Sequence, residues 1–172
     1  MRIAEKTSID RRNFLIASVT GAAGILPLSS IAADTSMRFD RAAYDRYIRL
    51  MNAADLEFVD YYTDDIKFVM GLHGKASVLR FYAAQRSYVK EELEVLFFCS
   101  DATGAAAMVH SEIRCIQDCD NTSIFGRALK AGEVQQVRGY LFYKLNDYGK
   151  IVEIAGPPPE ILQPSHMAEK LK

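Results

Sequence analysis

The hydrophobic period of this 172-residue chain changes once, at about residue 91, and that change limits what it can fold into. Before it, Tyr44, Tyr47, Ile48 and Met51 fall at i, i+3, i+4 and i+7, one face of a helix. From Glu91 onward apolar and polar residues alternate, as in half-buried strands. Helices first and an antiparallel meander afterwards make an α+β fold, with the helices on one face of the sheet.

The spacing predicts a first helix over residues 39–53, with Arg41, Asp45, Arg46 and Arg49 on its wet side. Asp55 can cap a shorter helix over 55–62, whose apolar side is Leu56, Val59 and Tyr62. IKFVMG reads as a short strand. Gly74 opens a third helix with Val78, Leu79, Tyr82 and, at its far end, Arg86 facing inward. The runs ELEVLFFCS, AAAMVHSEIRCIQ, VQQVRGYLFYKL and KIVEIAG are four strands, with SDATGA and NDYGK as hairpin turns. The polar stretch QDCDNTSIFGRALKAGE between the second and third runs is a long connection. Asp64 and Asp65 are adjacent on an extended chain, so they point apart and cannot flank one glycosidic bond. The prolines of GPPPEILQPS end the domain at residue 156, leaving residues 157–172 as a proline-rich tail whose last residues, HMAEKLK, cover a pocket mouth or fray.

Residues 1–32 read as a twin-arginine signal peptide. Arg11 and Arg12 in DRRNFLIAS precede a small, apolar run, and SSIAAD offers a cleavage site. Asp10 and Ile16 depart from the usual pattern, and a Sec signal or an uncleaved anchor are the alternatives. Export would place the protein in the periplasm. Residues 33–38 are a linker and 39–156 the domain. Cleavage leaves 140 residues, room for one ordinary core. It removes four of the 21 basic and two of the 22 acidic residues, leaving 17 and 20, net −3. Without a basic footprint, nucleic acid is not an expected partner. No later segment reaches the roughly 18 apolar residues that a membrane span needs.

Cys99, Cys115 and Cys119 leave at least one thiol unpaired. Cys99, flanked by Leu96, Phe97 and Phe98, reads as a buried small hydrophobe. Cys115 and Cys119 could close a small loop. No second CxxC, histidine cluster or glycine-rich loop suggests a metal or an organic cofactor.

YIRLMNAADLEFVDYYTDD, HGKASVLRFY and LFYKLNDYGKIVEI resemble segments of the NTF2-like superfamily, in particular its SnoaL-like and ketosteroid-isomerase-like members. The resemblance covers about residues 39–156. It implies a strongly curved antiparallel sheet wrapped around three N-terminal helices, forming a cone. That cone hosts isomerases, dehydratases, cyclases, lyases and proteins without a reaction. Tyr47 stands where ketosteroid isomerases place an oxyanion-binding tyrosine. Their two aspartates correspond to Gly71 and Leu141, so steroid isomerisation by that mechanism is not expected. Members often dimerise through the outer face of the sheet, where Arg114, Arg138, Tyr140 and Phe142 fall, and a homodimer is the expectation.

By parity, Val109, Ser111, Ile113 and Cys115 face inward from one strand, and Val137, Gly139, Leu141 and Tyr143 from the next. With Tyr47, Met51, Met70 and Tyr82 they would line an apolar pocket with phenols as polar points, suited to a small aromatic ligand. Tyr47 could donate to a developing oxyanion or simply be a core tyrosine. His73, with an ordinary pKa of about 6.5, could be a base or a structural turn residue. His110 has outward parity and reaches the cavity only through a β-bulge. Two readings follow. One is an exported, cofactor-free lyase, dehydratase or isomerase acting on a small hydrophobic, oxygenated molecule, with Tyr47 as donor and His110 or His73 as base. The other is a non-catalytic periplasmic ligand-binding or dimeric assembly domain.

Overall fold

The computed structural model describes residues 39–120 and 127–167; the predicted signal peptide and linker lie outside them. Helix α1 (Arg41–Asn52) starts at Asp40, whose carboxylate accepts from the Ala43 amide at 2.9 Å. That satisfies one of the otherwise unpaired amides of the first turn. The helix buries Ala43, Tyr44, Tyr47 and Ile48, the stripe that the spacing predicts. The next helix, Leu56–Tyr61, is a 3-10 helix capped by Asp55. Its tighter turn buries Phe58 and Val59 and leaves Leu56 exposed, so Leu56 is not on the inner side as expected.

Strand β1 (Tyr62–Phe68) buries Ile66 and Phe68 and exposes both Asp64 and Asp65. A left-handed turn at Met70 and Gly71 reverses the chain into the two-residue β2 (Leu72–His73), which pairs back on β1. Helix α2 (Lys75–Gln85) follows and buries Val78 and Tyr82.

Four strands then form the antiparallel meander: β3 (Val89–Ser100), β4 (Gly104–Cys115), β5 (Glu133–Leu145) and β6 (Ile151–Ala155). Local side chains close the hairpins. Asp101 accepts from the Thr103 and Gly104 amides, and Asn146 from those of Tyr148 and Lys150. β6 returns to lie parallel to β1, so the order is β2–β1–β6–β5–β4–β3.

The chain after residue 156 corrects the expectation of a tail. Glu160–Met167 is a seventh strand, β7, antiparallel to β5. β6 pairs with the end of β5 and β7 with its beginning, so the two occupy one lane, interrupted by GPPP. Gly156 passes so close to Tyr140 that a Cβ there would collide with the Tyr140 carbonyl oxygen. Pro164 is tolerated because β7 pairs with β5 alone, and the register slips beside it, between Gln163 and His166.

A bulge in β3 between Val95 and Phe97 corrects a second expectation. Before it, Val89, Glu91, Leu93 and Val95 turn inward; after it, Phe98 does, and Cys99 is exposed instead of buried. One extra residue exchanges the faces of every residue that follows. The bulge leaves β4 unshifted, so His110 keeps its outward parity, its Nδ1 3.7 Å from Glu94.

Candidate functional site

Rings fill the interior between α1 and the sheet. Phe39, Tyr44, Tyr47, Phe58, Tyr62, Tyr82 and Tyr143 are all buried, with Phe98 stacked on Tyr44 at 4.3 Å between centroids. Their hydroxyls satisfy one another: Tyr44 with Tyr143 at 3.1 Å, and Tyr47 with Tyr62 at 2.7 Å. Burial opposes ionisation of all four phenols, pushing Tyr44 up to about 12 and raising Tyr47, Tyr62 and Tyr143 as well. Gly139 leaves no hole either, because a Val109 methyl occupies the space beside it. Leu141 packs against the same core. Tyr47, Gly139, Leu141 and Tyr143 therefore build the core and do not line the neighbouring cavity.

That cavity, about 330 Å³, lies where the last turns of α1 and α2 meet the start of β3. Met51 and Tyr82 line it, as expected, together with Arg86, Lys90, Glu91 and Ile116. Asn52 fixes its α1 wall to the sheet edge, giving its side-chain nitrogen to Leu93 O at 2.9 Å and accepting from Leu93 N at 2.8 Å.

Glu91 is the acid of the site. The Ser111 hydroxyl donates to its Oε1 at 2.7 Å. Burial holds the carboxyl above its ordinary pKa, more strongly than Ser111 and the nearby Arg86 charge pull it down. Burial, and after it the Glu91 charge, raises the pKa of Tyr82, which lines the same cavity. The Arg86 guanidinium lies 5.3 Å over the Phe58 ring and 5.6 Å over that of Tyr82, and its Nη2 donates to Met51 O at 3.2 Å. Its Nη1 is buried without a partner.

A carboxyl of raised pKa, a guanidinium and a phenol at one cavity can move a proton and stabilise the charge that develops. Sequence reasoning placed Arg86 at this end but missed Glu91. The signal was present in the run Val89, Glu91, Leu93, Val95, where Glu91 has the parity of its apolar neighbours.

The remaining expected site residues lie elsewhere. Met70 is 62% exposed, turned outward by its left-handed backbone (φ +75°), so it does not line the pocket. His73 is exposed on β2, opposite Lys67. His110 lies on the outer face with Glu92, Glu94 and Glu112. Ser111 enters only through Glu91. Among the described residues no three His, Cys, Asp or Glu side chains gather as a metal site. No helix among them is long and apolar enough to cross a membrane.

Neither a protein-family model nor a curated protein matches the sequence. Solved structures do match. A candidate polyketide cyclase from Pseudomonas putida KT2440 aligns with a TM-score of 0.56 at 20% identity, covering 66% of this chain and 86% of that one. A second candidate polyketide cyclase, from Xanthomonas campestris pv. campestris, gives 0.55 at 16%, covering 66% and 85%. The Δ5-3-ketosteroid isomerase from Mycobacterium sp. gives 0.51 at 21%, covering 67% and 89%. At such identities the likeness establishes the fold, an α+β NTF2-like cone with three helices and a large curved sheet.

Proposed function

We propose that this chain is a SnoaL-like enzyme performing acid–base chemistry of the lyase, dehydratase or isomerase type on a small hydrophobic, oxygenated molecule. The observation that carries the reading is Glu91, a carboxyl of raised pKa at a cavity shared with Arg86 and Tyr82. Glu91 takes or returns the proton, and the guanidinium and phenol stabilise the oxyanion. A volume of about 330 Å³ is at the low end of the usual range of roughly 300–1,000 Å³, which favours a compact ligand of one or two rings over a larger fused-ring one. The role given to Tyr47 and the histidines from sequence passes to Glu91, because Tyr47 is closed by Tyr62 and both histidines lie away from the cavity.

The test uses 5-nitrobenzisoxazole, a compact neutral probe whose benzene ring is fused to a five-membered isoxazole. The isoxazole ring opens when a base removes the C–H proton and the N–O bond breaks to give a cyanophenolate. Turnover above the buffer rate, rising with pH through a pKa above the ordinary carboxyl range and lost in Glu91→Gln, supports the reading. Turnover that survives Glu91→Gln refutes it.

The dimeric reading draws on a separate observation. Phe97 and Phe142 are exposed by 51% and 57%, and His110 Nε2 and Arg138 Nε are buried without partners. We propose a homodimer through this outer face, in the periplasm after twin-arginine export. Sedimentation of the native protein and of Phe142→Lys tests the first statement, and sequencing the N-terminus of protein recovered from the periplasm tests the second.

A further inference from the structure

Arg86 is better held than it is satisfied. A guanidinium offers five N–H donors in a planar fork. Here two rings and the Met51 carbonyl fix the plane, while Nη1 is buried with nothing to donate to. Asp55 and Glu91 reach it only through space. Lys90 adds a second cation to the lining. Asn52 and Gln85 add neutral polar groups, and Met51, Tyr82, Val89 and Ile116 supply apolar and aromatic wall. A fork positioned in this way, with one arm unused, matches the two oxygens of a carboxylate.

Building on the acid–base reading of this cavity, we infer that its ligand is a small apolar carboxylic acid. The carboxylate pairs with Arg86, the apolar body lies against Met51 and Ile116, and the reacting carbon faces Glu91. The arrangement is self-consistent in charge. An anion on Arg86 favours the protonated form of Glu91, so the two carboxyl groups share the cavity without like-charge repulsion and Glu91 enters the reaction as an acid. A neutral amide of the same shape offers Arg86 one carbonyl acceptor and no charge, a weaker partner than a carboxylate.

The experiment is calorimetric titration of the intact protein with phenylacetate and its neutral isostere phenylacetamide. The wild type is expected to bind the acid about tenfold or more tightly than the amide, as a charge-assisted hydrogen bond requires. Arg86→Gln should reduce that preference to near unity. Equal binding of the two probes by the wild type, binding of neither, or a preference unchanged in Arg86→Gln overturns the inference. The wild-type comparison stands even if Arg86→Gln fails to fold. The neutral benzisoxazole probe keeps the two readings apart. Glu91-dependent turnover without acid preference leaves the acid–base reading and removes this one; acid preference without turnover does the reverse.

Discussion

Ser111 and Glu91 are joined at 2.7 Å although neither is the other's strand partner: Ser111 lies opposite Leu93 and Glu91 opposite Ile113. The bond is a diagonal across the β3–β4 ladder, and it anchors the only carboxylate among the cavity-lining residues.

This carboxyl should make stability fall with pH. Its folded pKa lies above that of the unfolded chain, about 4.3, so below that value both states hold the proton. As pH rises, the unfolded chain ionises first and the native state loses stability until the folded pKa is passed. Glu91→Gln removes the penalty. Its Tm should exceed that of the wild type at about pH 7 to 8, and the gain should vanish near pH 4. Thermal melts across that range decide it, and a gain that grows towards acid pH would contradict the assignment.

Tyr47→Phe should cost stability and spare activity. It leaves the Tyr62 hydroxyl buried without its 2.7 Å partner, at about 1–3 kcal/mol. Removing both hydroxyls in Tyr47→Phe/Tyr62→Phe should recover much of the loss. Denaturant unfolding measures the first effect and turnover of the benzisoxazole probe the second.

Asn52→Ala should loosen the cavity wall. Two hydrogen bonds to the Leu93 backbone disappear together, a loss of roughly 1–3 kcal/mol. Because β3 is the last strand of the sheet, Leu93 has no neighbouring strand on that side to replace them. Amide exchange at Leu93 should quicken more than at residues in β4.

Thiol labelling should separate Cys99 from Cys115. Cys99 is exposed, whereas Cys115 is buried, bonded to Gln117 O at 3.0 Å and raised in pKa by burial. In the folded protein Cys99 should react promptly with a disulfide reagent and Cys115 only after denaturant is added. Equal rates would place the bulge in β3 elsewhere.

What the sequence makes legible here is local. The α1 stripe follows from the spacing of Tyr44, Tyr47 and Ile48, and both hairpins follow from Asp101 and Asn146 bonding their own turns. What it conceals depends on distant parts of the chain. The β3 bulge is a matter of register against β4, so Cys99 read as interior. Pro164 argued against a strand, because its tolerance depends on which edge of β7 meets β5. Glu91 carried the inward parity of Val89 and Leu93, yet a charged side chain reads as solvated until a cavity and Ser111 are in place around it.

The tyrosine packing has a consequence for how this fold can change. The backbone forms a vessel, and its capacity is decided by the few rings that plug it. Each phenol pair closes on itself, so exchanging both members of a pair for smaller apolar residues strands no polar atom. The strands and their register need not move for the vessel to be emptied. A lineage with this scaffold can therefore alter the size of what it holds by point substitutions alone, keeping the architecture as it is.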